Sequence, residues 1–340
     1  MQGLFAFGIS KILIALLVFG IIIMIHELGH FVAAKISGVK VDEFSLGMGP
    51  KLFSIQGEET LYAIRLFPIA GYVKMVGENE ESDHPRSFSK KNPLKRFFII
   101  VMGPVMNFVL AIVLYTIIFS STGLPSTTIG ELTTNSPASK VGIQVEDKIL
   151  DIDGQSVENW TDIPKIINTV DSEYINIKIK RDEEILDFKV EPMEEDGRKL
   201  IGVVPKYEKN IFKTFSHSIK TTFSLLAQMI EFLGRAVQGK VKETVVGPVG
   251  IIKIVGDTSA NGILPLLFLA AAISVNLGLM NLLPIPALDG GRIIFIILEV
   301  IRGKKLGKNI EEYIHAAFLG LLLLFMVFIT YKDVSRLIFK

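Results

Sequence analysis

The sequence predicts a polytopic α-helical membrane protein with four transmembrane helices and a mixed α+β domain inserted between the second and the third. Three observations predict it. Of 340 residues, 49% are hydrophobic, and the mean hydropathy is +0.46. Four segments stay apolar over the roughly 20 residues that a bilayer-crossing helix needs: Ile12–Ile36, Phe97–Phe119, Ile263–Leu283 and Tyr313–Tyr331. A long polar stretch separates the second from the third and holds most of the charge and the only tryptophan, Trp160.

Composition excludes several functions. The formal charge of +1 gives no bulk pull toward nucleic acid or acidic lipid, so a nucleic-acid partner is not expected. The chain has no cysteine, which rules out disulfides, thiol chemistry and thiolate-held zinc. Any metal site must therefore use histidine and carboxylate. The first apolar segment has only Lys11 before it and runs into "MIHELGH" instead of a small-residue cleavage pattern, so it is expected to be a retained transmembrane helix.

Lysine and arginine in the short loops set the expected orientation. Lys35 and Lys40, then Lys90, Lys91, Lys95 and Arg96, flank the loop between spans one and two. Arg302, Lys304, Lys305 and Lys308 lie between spans three and four. Both loops are expected in the cytoplasm, with residues 120–262 and both termini outside. Within the insert, Ser136–Ile163 reads as helix, loop, strand, tight turn at Asp153-Gly154, strand and helix. Tyr174–Val190 alternates in period two around an Arg181–Glu184 turn, a β-hairpin pattern. Ile211–Gly234 is amphipathic, with Phe212, Phe215, Ile219, Phe223, Leu226, Ile230 and Leu233 at steps of three and four. That helix either packs on its own protein or lies in the membrane interface.

The chemistry begins in the first span. "MIHELGHFVAA" (Met24–Ala34) places His26 and His30 four residues apart, on one helix face, with Glu27 beside them. The chain has only five histidines, and such groups are costly inside a membrane unless they are satisfied or used. Two imidazoles can reach one metal, and Glu27 is placed to take a proton from water. A catalytic zinc needs a third protein ligand. The other histidines are His84, His217 and His315; His217 falls in the extracytoplasmic helix, and His315 opens span four and is an alternative. Asp289, in "NLLPIPALDGGR" (Asn281–Arg292), is the stronger candidate. Spans one and three run in the same direction, so both sets of ligands end at one depth. Pro284 and Pro286 break the helix ahead of Asp289, and broken backbone at membrane depth must be buried in protein or line a wet cavity.

In order along the chain, His26-Glu27-Leu28-Gly29-His30, "FSLGMGP" (Phe44–Pro50), "GPVMNF" (Gly103–Phe108), "VGPVGI" (Val246–Ile251) and "NLLPIPALDGG" together resemble the site-2 protease family of intramembrane zinc metalloproteases. The resemblance covers nearly the whole chain. Within the family it is greatest to the bacterial regulator of sigma-E protease group, with one PDZ domain in place of two. It implies Zn2+ held by His26, His30 and Asp289, with Glu27 as general acid and base. It further implies Asn276 and Asn281 near the site, placing substrate backbone or polarising the scissile carbonyl. "TLYAIRLFPIAGYVKM" (Thr60–Met75) is similar to the family's membrane re-entrant β-hairpin, with Pro68–Gly71 as its turn. Ile64, Leu66 and Gly71 would then contact substrate, an edge strand pairing with an unwound segment. Ala70 stands where the family often has a glycine.

The insert is expected to be PDZ-like, with Glu146-Asp147 in place of the usual Gly-Asp and Ile129-Gly130 as its ligand loop. It would bind a peptide or act as a size filter. The resulting division is 1–120 for the first two spans with the hairpin, 121–207 for the PDZ-like domain, 208–262 for the amphipathic helix and linker, and 263–340 for the last two spans. The implied protein is a multi-pass enzyme of the bacterial inner or plasma membrane, surrounded by lipid, with its active site near the cytoplasmic side. Its expected partners are single-pass substrates already trimmed outside, such as anti-sigma factors or signal-peptide remnants. Two rival classes are a non-catalytic PDZ scaffold, which should lack Glu27 or a ligand, and a metal transporter, whose ligands should be spread along a path.

Overall fold

The computed structural model describes residues 8–78, 82–195, 197–240, 246–304 and 307–338. The chain forms two compact units, one of Met1–Ile118 with Ser218–Lys340 and one of Phe119–His217.

The first unit opens with helix α1 (Ile9–Ile36), then strands β1 (Val41–Gln56) and β2 (Leu61–Met75), and helix α2 (Pro93–Thr122). Gly47 and Gly49, at φ +91° and +88°, occupy the left-handed region open to glycine and fold β1 into two runs. The register shows the result: Leu61 faces both Glu43 and Gln56, and Leu46 faces both Ile64 and Gly71. Val41–Leu46 therefore lies between Leu61–Ile64 on one side and Gly71–Met75 on the other. The chain reverses a second time at Gly57, whose N–H bonds to Thr60 O at 2.9 Å, and a third time between Ile64 and Gly71. Among the described residues, no strand pairs with the outer edge of Gly71–Met75. The Arg86 guanidinium and the Lys35 ammonium, 2.5 Å and 2.7 Å from Glu59, tie the hairpin to its surroundings and hold that carboxyl at a pKa of about 2.

The second unit contains β3 (Leu124–Leu132), α3 (Pro137–Lys140), β4 (Lys148–Ile152), β5 (Gln155–Ser156), α4 (Asp162–Thr169), β6 (Ile175–Arg181), β7 (Glu184–Val190), β8 (Met193–Glu195), β9 (Arg198–Leu200) and β10 (Val203–Glu208). Its main sheet has the order β10-β3-β4-β6-β7. Ile175, Ile177 and Ile179 are fully buried while Asn176, Lys178 and their like face out, which is the period-two pattern of the sequence. Asp153 and Gly154, both at positive φ, make the tight turn between β4 and β5. Asp147 is buried and accepts 2.7 Å bonds from both Nε and Nη2 of Arg181, a bidentate pair that satisfies both its oxygens.

Helices α5 (Ile211–Val237), α6 (Pro248–Ala260), α7 (Ile263–Leu282), α8 (Asp289–Arg302) and α9 (Lys308–Ile338) follow. Four described helices are long and apolar enough to cross a membrane: Ile9–Ile36, Pro93–Thr122, Ile263–Leu282 and Ile310–Arg336. The chain is thus a polytopic membrane protein with a sheet-containing insert. Two helices go beyond the four-span expectation, α6 and α8. The sequence places Asp289 at the end of span three, but α7 stops at Leu282 and Asp289 begins α8. Pro284 and Pro286 lack the N–H a continuing helix needs. The centre of the unit is α1. Its Ala15, Val18 and Ile22 pack against Val255 and Ala270, and its Ala33 and Ala34 against Val41, Val73, Ile99, Ile100 and Ile296.

Candidate metal centre

Two helices and one turn supply the cluster. On α1, His26 and His30 are one turn apart and buried, with Nε2 atoms 3.2 Å from each other. The first residue of α8 brings Asp289 Oδ2 to 3.1 Å from His26 Nε2 and 3.4 Å from His30 Nε2. Asp289 Oδ2 is buried and has no hydrogen-bond donor. Three such atoms at contact distance repel one another unless something positive lies among them. Ligands of a tetrahedral zinc, bound at about 2.0–2.1 Å, lie about 3.3 Å from each other. The observed separations match, and the donor set of two imidazoles and a carboxylate suits zinc. Among the described residues this is the one group of three or more such side chains close enough to share an ion.

The surroundings fix which nitrogen is free. His30 Nδ1 lies 2.9 Å from Ile99 O and donates to it, leaving the Nε2 lone pair for metal. His26 Nδ1 lies 3.2 Å from the side-chain amide of Asn107, a residue with no exposed surface. As placed, the amide nitrogen faces the ring and Oδ1 has no partner. A half-turn of the amide brings Oδ1 to the ring, where it accepts from His26 Nδ1–H. Asn107 is thereby a support of the metal ligand that sequence reading missed, although "GPVMNF" contains it. Gly103, one turn earlier on α2, is there for space: a Cβ would sit 2.3 Å from His30 Nε2. Asn107→Leu is expected to lower zinc affinity about 10–100-fold with the fold retained, as chelator competition would measure. Unchanged affinity would remove Asn107 from this role.

A cavity of about 1000 Å³ opens onto the cluster, lined by His26, Glu27, His30, Gly71–Glu78, Asn281 and Asp289 among others. Glu27 follows His26 and points about 100° further round the helix, so it faces the cavity without joining the donors. The outer run of β2 passes against it. A Cβ at Gly71 would meet Glu27 Cγ at 2.7 Å, so only glycine permits this approach.

Other expected residues fall elsewhere. Asn276 is exposed and does not line the cavity, because a step of five positions from Asn281 rotates it about 140° around α7. Ile64 and Leu66 are also exposed and away from the cavity, and Ile64 has strand neighbours on both sides. Ile129 and Gly130, expected in a ligand loop, lie inside β3. Ile129 is fully buried, its N–H bonds to Asp147 O at 2.8 Å and its O accepts from Glu146 N at 2.9 Å, so its backbone is already occupied. His315 lines the cavity but is not in the donor cluster. Its Nδ1 accepts from the Ala287 N–H at 2.9 Å.

Residues 14–325 match Peptidase family M50. The chain is 41% identical over 329 residues to a provisionally named zinc metalloprotease of Clostridium acetobutylicum, covering 95% of this chain and 97% of that one. It is 31% identical to the zinc metalloprotease RasP of Oceanobacillus iheyensis, covering 95% and 98% of the two chains. It is 28% identical to the regulator of sigma-W protease RasP of Bacillus subtilis, covering 97% and 99%. With a family match across most of the sequence, and with HExxH histidines and a distant aspartate meeting at one point, the chain belongs to peptidase family M50, the site-2 protease family.

Proposed function

We propose that this zinc metalloprotease is an intramembrane endopeptidase that hydrolyses a peptide bond within or near the transmembrane segment of single-pass proteins already trimmed outside. Anti-sigma factors and signal-peptide remnants are the substrate classes. The observation that carries the reading is the position of the donor cluster, on α1 and at the end of the α7 turn, between helices long enough to cross a membrane. A Bacillus subtilis relative named as a regulator of sigma-W protease supports the anti-sigma class.

His26, His30 and Asp289 would hold zinc, which when bound supplies a Lewis acid and acidifies water. The rest is the work of this chain's own groups. Glu27 accepts a proton from the attacking water and delivers it to the departing amine. The free edge of Gly71–Met75 offers backbone groups to an unwound substrate segment, which must leave its helix to expose a peptide bond. Asn281, which lines the cavity, donates to the scissile carbonyl in this proposal. Residues 120–262 lie outside in this proposal, 121–207 forming a PDZ-like domain that binds peptide or screens substrates by size. On α5, Phe212, Phe215 and Phe223 are exposed while Thr214, Ser218 and Thr222 are buried, which suits a helix with its aromatic face in the membrane interface.

The full-length protein in detergent is expected to cut a single-pass substrate lacking its extracytoplasmic part, to stop when a chelator removes zinc, and to resume when zinc is restored. Cleavage indifferent to chelation, or confined to soluble peptides, would sink the proposal.

A further inference from the structure

The turn that presents Asp289 is poorly anchored by its own sequence. It runs from the end of α7 at Leu282 to the start of α8, and Pro284 and Pro286 contribute no N–H to it. Its other backbone bonds are local: Leu283 N to Met280 O at 3.2 Å, Ile285 N to Leu283 O at 2.7 Å and Leu288 N to Ile285 O at 3.1 Å. Ala287 is different. It sits at φ +81°, in the left-handed region that a residue with a Cβ adopts only under strain. Such strain persists where the surroundings enforce it. Here the enforcing group comes from another element, since the Ala287 N–H donates to His315 Nδ1 on α9 at 2.9 Å.

His315 is itself held. Its ring lies 5.4 Å from that of Phe295 on α8, the helix Asp289 begins. Further along α9, Asp333 is buried and accepts from the Gly250 N–H at 2.8 Å, which fixes the helix within this unit. The bond to Ala287 is therefore a specific tie from α9 to the turn two residues before a metal ligand.

We propose that His315 is a positioning residue of the metal centre, holding the Ala287 turn so that Asp289 meets His26 and His30. The proposal rests on the metal-site reading. It assigns His315 a task through the backbone of Ala287: the side chain lines the cavity but is not among the three donors.

The geometry of the acceptor gives a test that separates this task from bulk or polarity. Nδ1 of histidine and Oδ1 of asparagine are both one bond beyond Cγ, so asparagine can accept from the same N–H. The acceptor of glutamine is one bond further out, and leucine has none. Zinc affinity of the full-length protein in detergent, measured by chelator competition without substrate, is the readout. His315→Asn is expected to stay close to wild type. His315→Gln and His315→Leu are expected to bind zinc about 10-fold or more weakly, in the range for loss of a group that orients a ligand. Should His315→Leu fail to fold, the asparagine–glutamine pair still decides. Equal affinity across all three variants, or asparagine as weak as glutamine, would overturn the proposal. His30→Ala serves as the reference. If it abolishes binding while His315→Gln and His315→Leu do not weaken it, the metal reading stands and the positioning role falls. If wild type binds no zinc that His30→Ala loses, both fall.

Discussion

Glu27→Gln is expected to keep zinc and to lose turnover by at least about 10²–10⁴-fold, the usual contribution of a general acid and base. The three donor atoms that converge belong to His26, His30 and Asp289, and Glu27 is not among them. It lines the cavity instead, against the backbone of Gly71. Glutamine has nearly the same shape and preserves that packing, but its amide cannot take a proton from water. The variant should therefore bind zinc and substrate alike and accumulate uncut partner, which co-purification of a tagged single-pass protein would reveal. Turnover within about tenfold of wild type would mean that some other group moves the proton. Loss of zinc along with turnover would shift Glu27 from proton transfer to metal binding or to folding.

The residues of this site differ in how far sequence alone exposes them, and the reason is locality. His26 and His30 are legible because one helical turn joins them and nothing distant has to be known. Asp289 needs more, a shared depth for two parallel spans and a break in the helix, yet each of those is a property of hydropathy and proline. Asn107 lacks any such signal. Its meaning comes from the close approach of α2 to α1, which Gly103 permits and which no periodicity encodes. The folded-back hairpin is harder still, because Leu46 faces both Ile64 and Gly71 and a pattern of alternating residues cannot say which run has the free edge. That is why Gly71 lines the cavity while Ile64 and Leu66 do not. The different directions of Asn276 and Asn281 are legible in sequence, since a helix turns about 100° per residue. In the insert, the hairpin from Ile175 to Val190 follows its alternating pattern, because one face of the sheet is buried and a slip by one residue would invert it. Glu146, noted in the sequence as standing where a glycine is usual, does adopt φ +74°.

Asp289→Ala is expected to strip the centre of zinc and abolish turnover while leaving the helices assembled. Asp289 is the one carboxylate of the cluster, and its Oδ2 closes the triangle at 3.1 Å and 3.4 Å from the two imidazole nitrogens. Two neutral histidines alone are fewer than the three protein ligands a catalytic zinc takes, and they leave the positive ion without a compensating charge. Loss of a group that merely orients a ligand costs about 10–100-fold in affinity, so loss of the ligand itself should exceed that. The fold should survive, because Asp289 makes no hydrogen bond through its buried oxygen and the turn before it keeps both its local backbone bonds and the bond from Ala287 N–H to His315. Removing a buried charge that lacks a donor can even stabilise the metal-free protein. The measurement is zinc content of the purified variant together with its thermal unfolding. Stoichiometric zinc with wild-type turnover would expel Asp289 from the site, and with it the inference that the end of the α7 turn and the histidines of α1 form one centre. Zinc loss accompanied by global unfolding would instead make the aspartate a structural group. The expected pair of results, no zinc and an unfolding temperature at or above that of the metal-free wild type, distinguishes a ligand from a strut.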